Sequence, residues 1–397
     1  MIPRTKVNYG IGDLLRAVFV REGGKDHRGL LADMLRRYLG AENLLLVPSG
    51  RGGLYFILKA IDKPRVVVPS YTCNAVIEAA LMAGKEVVRV EVEDGGFNMP
   101  ASSLEAVVDE HAIVIATHQF GIPCEIEKMR ALCATAGATL VEDAAASIGS
   151  RVNGRLTGTF GDLAFYSFDS TKLINVPMKG GFVTARDADL FARIKGIYLA
   201  EIIPMPALHK LGLLAKAAIL TIIENHFLYR LFHWLTFGLT GRFTAESADL
   251  DLEKGEFYIY DLANWQAGIA APQVAGIDKI IAVRQETYAR YRSELRDCTA
   301  FDLPPCDTAS EWACIRFPIR IRGDKYSFYR SAVRRGIDFA FSFTYIACPR
   351  DFRNATRLAE SVLDLPFYSK LSNKEFQRVV RALKSLDATA GRCIRGT

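Results

Sequence analysis

From residue 44 onward, short and wholly apolar runs take turns with stretches whose apolar residues recur every three or four positions. LLLV (44–47), RVVVPS (65–70), EVVRVEV (86–92), AIVIATH (112–118), ATLVEDAAA (138–146), LAFYSF (163–168) and GGFVTA (180–185) read as strands. RGGLYFILKAI (51–61), AVIEAALMAG (75–84) and EIEKMRALCATAG (125–137) read as helices. The last two close on glycine, as does an earlier helical stretch, GLLADMLRRYLG (29–40). Glycine suits a helix end because it takes the left-handed conformation without a Cβ clash. Strands that are apolar at every position, and not only at every second one, are buried on both faces. Their alternation with helices predicts a mainly parallel sheet covered on both sides, an α/β fold.

A second region begins after about residue 250. The segment 265–295 reads as one long helix broken at its proline, 314–321 (CIRFPIRI) as a strand, and 326–336 and 374–386 as helices. The chain has 397 residues, 50% of them hydrophobic, which is too much for one simple domain. The expectation is a large domain over 1–250 and a small α+β C-terminal domain over 251–397 that includes the connecting helix. Within the first, residues 204–241 stand out as apolar and aromatic, with Phe227, Tyr229, Phe232, Trp234 and Phe237 close together. Lys216, Glu224 and Arg230 interrupt the stretch, and its charge-free pieces, 217–223 and 231–241, are far below the ~20 residues that span a bilayer. Two amphipathic helices are predicted, serving either as a dimer or interdomain surface or as a peripheral membrane contact.

The formal charge of +6 is spread along the chain, with no basic stripe interleaved with aromatics, so no nucleic-acid partner is expected. The cysteines, Cys73, Cys124, Cys133, Cys298, Cys306, Cys314, Cys348 and Cys393, form no C-x-x-C pair and no zinc-like cluster with histidine. No metal site is expected. Scattered single cysteines fit a reducing compartment, and the N-terminal residues lack a secretion-signal pattern, so a cytoplasmic location is expected.

The unusual residues fall where such sheets build their sites, at the carboxyl ends of the strands. Ser49-Gly50, Ser70-Tyr71, His118, Glu142-Asp143 and Ser167 each lie at or just past a strand end. The most informative stretch holds EDAAASIGS (142–150), GDLAFYSFDSTK (161–172) and KGGFVTA (179–185). A lysine just past a strand end, Lys172, sits at the mouth of a cleft if partly buried, and burial frees its amine as a nucleophile. Asp143, at an upstream strand end, faces the same cleft on this reading. An amine and a fixed carboxylate suit pyridoxal phosphate (PLP): the amine makes a Schiff base, and the carboxylate keeps the ring nitrogen protonated. Ser49-Gly50-Arg51-Gly52-Gly53, opening a helix, offers backbone N–H groups to the phosphate.

Taken in order, VPSG (47–50), VVVPSYT (66–72), ATHQFGIPCEI (116–126), VEDAAASIGS (141–150), GDLAFYSFDSTK (161–172) and the paired glycines of KGGFV resemble the DegT-type nucleotide-sugar aminotransferases, from about residue 44 to 386. The resemblance implies an aspartate-aminotransferase-like fold, PLP fold type I, working as a homodimer. It implies Lys172 as the Schiff-base lysine, Asp143 as the partner of the pyridinium nitrogen, and Ser167 with the Gly50 and Arg51 backbone as phosphate ligands. His118 matches the histidine of the family's HLYG motif and reads either as a cofactor residue or as a structural one. Cys73 takes the place of an aromatic that stacks on the ring, so Tyr71 or another side chain covers that face, or nothing does. Other landmarks differ too: Ala146 replaces a glutamine, Arg51 a threonine and Lys179 an acidic residue. The segment IYDLANWQAG (259–268) lacks the phosphate-binding asparagine lent to the neighbouring subunit, since Asn264 is not aligned with it.

By this resemblance the expected reaction is amination of a keto-sugar, nucleotide-linked, with an amino acid donor such as glutamate, for polysaccharide or glycoconjugate synthesis. The missing landmarks and the 204–241 segment keep two alternatives open: an aminotransferase acting on a lipid-linked or apolar keto-substrate at a membrane surface, and a PLP-binding regulator without turnover.

Overall fold

The computed structural model describes residues 1–20, 23–238, 249–305, 311–344 and 351–394, with side chains described as far as 388. Strands β1 (Asn43–Val47), β2 (Arg65–Pro69), β3 (Glu86–Val90), β4 (Ala112–Thr117), β5 (Thr139–Asp143), β8 (Leu163–Ser167) and β9 (Gly181–Ala185) form one sheet, in the order β1-β9-β8-β5-β4-β2-β3. A small ribbon, β6 (Arg151–Val152) with β7 (Arg155–Leu156), lies between β5 and β8 in the chain. β9 alone runs against its two neighbours, and the remaining pairings are parallel. The mainly parallel sheet expected from the apolar runs is therefore present, and β1, β2, β4, β5 and β8 deliver their last residues to one edge.

The helices of this half are α1 (Ile11–Val18), α2 (His27–Leu39), α3 (Gly50–Ala60), α4 (Asn74–Met82), α5 (Ile126–Ala136) and α6 (Ala188–Glu201). α2 and α5 end on Gly40 and Gly137 at φ 65° and 68°, the left-handed stop predicted for both. Two-residue periodicity sends strand side chains to opposite faces. Val66, Val68, Ile113 and Ile115 pack with α3, α4 and α6, whereas Val67, Val114 and Ala116 pack with α5. At the other end of the second face, Leu46, Tyr166 and Phe182 meet α2 and a later helix, α10 (Asn264–Ala275). Complete burial of each such valine or isoleucine contributes about 1.5–3 kcal/mol, which is why β2 after Arg65 and β4 before Thr117 are wholly apolar.

The insert folds as the two predicted helices, α7 (Ala207–Ile223) and α8 (His226–His233), followed by a wider turn at Trp234–Gly238; residues 239–241 lie outside the described part. Next come α9 (Glu256–Ile259), α10 and α11 (Ile277–Leu295). The small domain carries β10 (Phe301–Asp302), β11 (Pro318–Ile321) and β12 (Val362–Asp364) as an antiparallel sheet, packed with α12 (Lys325–Arg334), α13 (Arg353–Ser361) and α14 (Asn373–Ile394).

Three expectations change. The division at residue 250 moves: Tyr258, Leu262, Trp265 and Val274 belong to the core of the large domain, and α11 bridges, with Ile277 and Ile281 in that core and Tyr288, Tyr291 and Leu295 in the small one. Ile2, at the chain's start, belongs to the small domain, where it pairs with Ile337. The 265–295 helix runs through Pro272 and breaks instead at Gly276, whose backbone leaves helical values. The strand over 314–321 shortens to Pro318–Ile321 because the Ile315 N–H turns away to the carbonyl of Phe120, across the domain boundary.

Candidate active site

At the strand-end edge, a cavity of about 260 Å³ lies between the two domains. Its floor is the turn from β1 into α3. The Ser49 hydroxyl accepts from the Gly52 N–H at 3.0 Å and donates to the carbonyl of Phe257 at 2.7 Å, which caps α3 and fixes its first turn. The N–H groups of Gly50 and Arg51 open that turn and have no carbonyl four residues back, so they form a seat for an anion. A side chain at Gly50 would come within 3.1 Å of the Ser167 Cβ and 3.3 Å of the Tyr166 carbonyl oxygen. Glycine is therefore what lets the helix start press against the end of β8, bringing Ser167 and those N–H groups to the same wall of the cavity.

Lys172 and Asp143 both line this cavity. Asp143 ends β5, nearly buried, and one carboxylate oxygen accepts the Ala145 N–H at 3.1 Å. Burial pushes its carboxyl above the ordinary range, against the pull of Lys172. Lys172 sits on the turn after β8, held by its own N–H to the Asp169 carbonyl at 2.9 Å and by Asn175, whose amide donates to the Lys172 carbonyl at 3.0 Å. Burial holds the Lys172 amine below its ordinary value, Arg316 adds to this, and Asp143 and Asp169 oppose it. A carboxylate and an amine each moved toward neutrality are a matched pair for acid–base work.

The predicted residues do not all reach the cavity. Gly50, Arg51, Cys73, Ser167, Asp143 and Lys172 do. His118 does not: it is wholly buried behind it, with Nε2 2.9 Å from Glu142 and Nδ1 accepting the Cys124 N–H at 3.2 Å. Glu142 also accepts the N–H groups of Gly158, Phe160 and Gly161 at 2.6–2.7 Å. Histidine and glutamate together close a polar knot that pins the loop into β8, so His118 takes the structural one of its two readings. Cys73 begins α4 without a capping bond and presents only a thiol. Tyr71 is buried, donating its hydroxyl to the Ser342 carbonyl at 3.1 Å, and does not line the cavity. The aromatics that do are Phe120, Phe165 and Phe343; the rings of Phe120 and Phe343 are stacked with centres 5.9 Å apart. Both hold left-handed backbones, φ 59° and 52°, which is costly for a non-glycine residue and characteristic of positions fixed by function or tight packing. Asn264 serves elsewhere: its side-chain oxygen accepts the N–H groups of His27 and Arg28, at the start of α2.

Several cavity residues escaped the sequence reading. Thr72 and Gln119 line it with buried polar atoms, the Thr72 hydroxyl and the Gln119 amide nitrogen, that find no partner within the protein. Asp169 lies 3.8 Å from Lys179; burial pushes its carboxyl up, but Lys179 and Lys172 outweigh this and hold it below the ordinary value. Arg51 pairs with Glu78 at 3.0 Å. From the small domain Arg316 enters, steadied by Asp364 at 3.1 Å. Gln119 and Asp169 stand inside the matched motifs, where only their unusual identity marks them; Arg316 lies in the expected 314–321 strand, in the half that the fold leaves unpaired.

The sequence model of the DegT/DnrJ/EryC1/StrS aminotransferase family matches residues 11–384. The chain belongs to this family. Among its relatives, a UDP-N-acetyl-3-dehydro-alpha-D-glucosamine 3-aminotransferase of Acidithiobacillus ferrooxidans is 31% identical over 199 residues, 49% of this chain and 53% of that protein, so the match spans about half of that relative's length. An uncharacterized protein of Methanocaldococcus jannaschii is 23% identical over 94% of this chain and 93% of its own. Of the solved structures, the aminotransferase TlmJ of Streptoalloteichus hindustanus superimposes with a TM-score of 0.76 at 20% identity, covering 98% of this chain and 99% of that one. Helicobacter pylori PseC, an aminotransferase involved in pseudoaminic acid biosynthesis, does so with a TM-score of 0.75 at 15% identity, covering 98% and 99%. These likenesses establish fold type I. DegT-type aminotransferases use PLP, and a sugar aminotransferase of Streptococcus pneumoniae among the neighbours is known in PLP and PMP forms. The cavity fits that cofactor: an anion seat at α3, a buried carboxylate, a buried amine of lowered proton affinity, and two buried polar atoms that lack partners within the protein.

Proposed function

We propose that this DegT-type aminotransferase transfers an amino group from an amino acid such as glutamate to a nucleotide-linked keto-sugar, with PLP as cofactor. The observation that carries the reading is that Lys172 and Asp143 line one cavity beside the start of α3. When bound, the cofactor supplies an aldehyde that captures amines and a ring that draws electrons from them. Gly50, Arg51 and Ser167 hold its phosphate. Asp143 keeps a proton on its ring nitrogen. Lys172 would hold the aldehyde and would carry a proton to and from the substrate carbon; burial lowers the proton affinity of its amine, which favours the basic form this role needs. Phe120 and Phe343 wall the cavity in place of the missing ring-stacking aromatic and exclude water. Arg316 offers a guanidinium for the carboxylate of the donor.

The test is spectroscopic and chemical. Protein purified with PLP absorbs in the near-visible, and Lys172→Ala removes both that absorbance and turnover in a screen of amino donors against nucleotide keto-sugars. An unchanged spectrum in the variant rejects Lys172. Conversion of the wild-type spectrum by glutamate alone separates an enzyme from a silent PLP-binding regulator.

Three finer readings accompany the proposal. The enzyme acts as a homodimer, and it works in the cytoplasm, a location supported by the free thiols of Cys73, Cys124, Cys133, Cys298 and Cys314; Cys306 and Cys348 lie outside the described residues, as does the side chain of Cys393. Residues 204–241 make a peripheral membrane contact, which favours a lipid-linked keto-substrate as the second choice. Turnover of a nucleotide sugar free in solution, unaltered by vesicles, counts against that second choice.

A further inference from the structure

In three neighbouring helices the outward face is apolar although an inward apolar face is already buried, by Leu14 and Ala17 on α1 and by Leu213, Leu214 and Ala217 on α7. On α7, Leu208, Leu211, Ala215, Ile219 and Ile222 follow one another at three- and four-residue steps, which puts them on one stripe, and all are exposed, Leu208 to 83%. On α8 and the turn after it, Phe227, Leu231, Trp234 and Leu235 do the same, with Phe227 75% and Trp234 55% exposed. α1 packs against α7 and adds Ile11, Leu15 and Val18, with Phe19 just beyond its end 82% exposed. A helix on a water-facing surface turns such a stripe inward.

Several polar groups of the insert bond to the body on the inner side. Tyr229 donates to Asp338 at 2.5 Å, His233 meets the Tyr329 hydroxyl at 2.9 Å, and Glu224 accepts the Val7 N–H at 2.7 Å. Arg4 joins the same Asp338 at 2.6 Å. These bonds and the buried Leu213, Leu214 and Ala217 fix the helices to the body in this orientation, which leaves the apolar stripes outward.

Charge decides what covers them. Between residues 204 and 238 the exposed charged side chains are Lys216 and Arg230; the acidic Glu224 faces inward. Where α8 ends, an apolar cavity of about 490 Å³, walled by Trp234, Phe237 and Val333, is rimmed by Arg230, Arg330 and Arg334. A second copy of the chain meeting this face about a two-fold axis would set this cationic rim near its own image, a like-charge contact. An anionic bilayer satisfies both features, apolar stripes in the acyl boundary and cations among the headgroups. No single described helix is long and apolar enough to cross a membrane, and α7 and the α8 segment are bent by 111° to each other, a shape for lying in the interface.

We infer that α1, α7 and α8 dock this enzyme onto an anionic lipid surface. This deepens the membrane contact proposed for 204–241 and is independent of the chemistry assigned to the cavity. Full-length protein carrying its cofactor is sedimented with phosphatidylcholine vesicles, without and with phosphatidylglycerol. Binding to the anionic vesicles, weakened by added salt, is expected. Of the three tryptophans, Trp265 and Trp312 are buried, so Trp234 reports the contact: its emission moves to the blue and is quenched by brominated lipid. Phe227→Glu with Trp234→Glu is expected to cut the bound fraction by about tenfold or more, and Arg230→Glu to cut it on anionic vesicles only. Absence of binding overturns the inference. So does a doubled solution mass that the Glu variants abolish, which would make the face a contact between copies. Cofactor absorbance, read on the same samples, reports the aminotransferase reading separately.

Discussion

Glu142→Ala tests whether the acidic pair at the end of β5 divides its labour as the geometry says, one carboxylate for chemistry and one for the fold. Glu142 is wholly buried and receives three backbone N–H groups at 2.6–2.7 Å and His118 Nε2 at 2.9 Å. Truncation strands these four donors. A buried donor without a partner costs about 1–3 kcal/mol, and water entering the vacated space recovers part of the total, so a loss of about 3–6 kcal/mol is expected. In a domain of this size 1 kcal/mol moves Tm by roughly 2 °C, so melting followed by circular dichroism should fall by roughly 6–12 °C. Glu142→Gln keeps the volume and one acceptor and should fall between wild type and alanine. A Glu142→Ala protein melting within about 1 °C of wild type would refute the reasoning, because it would mean that the Gly158–Gly161 loop is held by something other than this carboxylate.

Gly50→Ala pushes a methyl to within 3.1 Å of Ser167 and should weaken PLP binding by about tenfold while changing Tm little; fluorescence titration measures the Kd, and unaltered affinity would clear Gly50 of the phosphate seat. Arg51→Ala removes the ion-pair partner of the buried Glu78 but keeps the backbone N–H at the phosphate seat, so it should cost about 3 kcal/mol of stability, read by denaturant melts, while the Kd for PLP changes less than about threefold; a roughly tenfold weaker Kd at unaltered stability would assign the guanidinium itself to the phosphate. Glu375 sets an acid limit to stability: burial pushes its carboxyl up, but Lys6, Ser372 and His226 outweigh burial and bring it down to about 2. A depressed carboxyl stabilises the fold fully above its unfolded value of about 4.3 and loses that contribution as pH falls toward 2, so Glu375→Gln should flatten the denaturant midpoint across that window.

The sheet was legible because burial on both faces leaves a continuous apolar run, and such runs ended where the ladder ends: RVVVP closes at Pro69 and LAFYS at Ser167. Lys172, Asp143 and Gly50 were legible because strand ends converge on one edge whatever the loops do. What the chain concealed is the half of the cavity that arrives from elsewhere. Ile315 and Arg316 come from the half of the expected 314–321 strand that stays unpaired, and Phe343 from an irregular segment, and nothing local says that either meets the strand ends of the other domain. The same limit explains the misplaced boundary, since α10 is apolar nearly all round and only its neighbours reveal which core it joins. His118 sat at a strand end like the true cavity residues, and the backbone turn through Gln119–Gly121 is what puts it behind the wall and Gln119 in it.

The cavity also holds a thermodynamic consequence. Burial raises the Asp143 carboxyl and lowers the Lys172 amine, so the surrounding protein disfavours the charge of each, and Thr72 and Gln119 add buried polar atoms without partners inside the chain. A chain selected for stability alone would fill such a place with apolar side chains. The fold instead maintains polar groups suited to a ligand that brings a phosphate, a ring nitrogen and an aldehyde at once. Any molecule bound by the folded chain and not by the unfolded one stabilises the former by mass action. PLP should therefore raise Tm in proportion to the logarithm of its concentration, and phosphate or pyridoxal alone should recover only part of the gain, because each answers only part of what burial leaves unpaired.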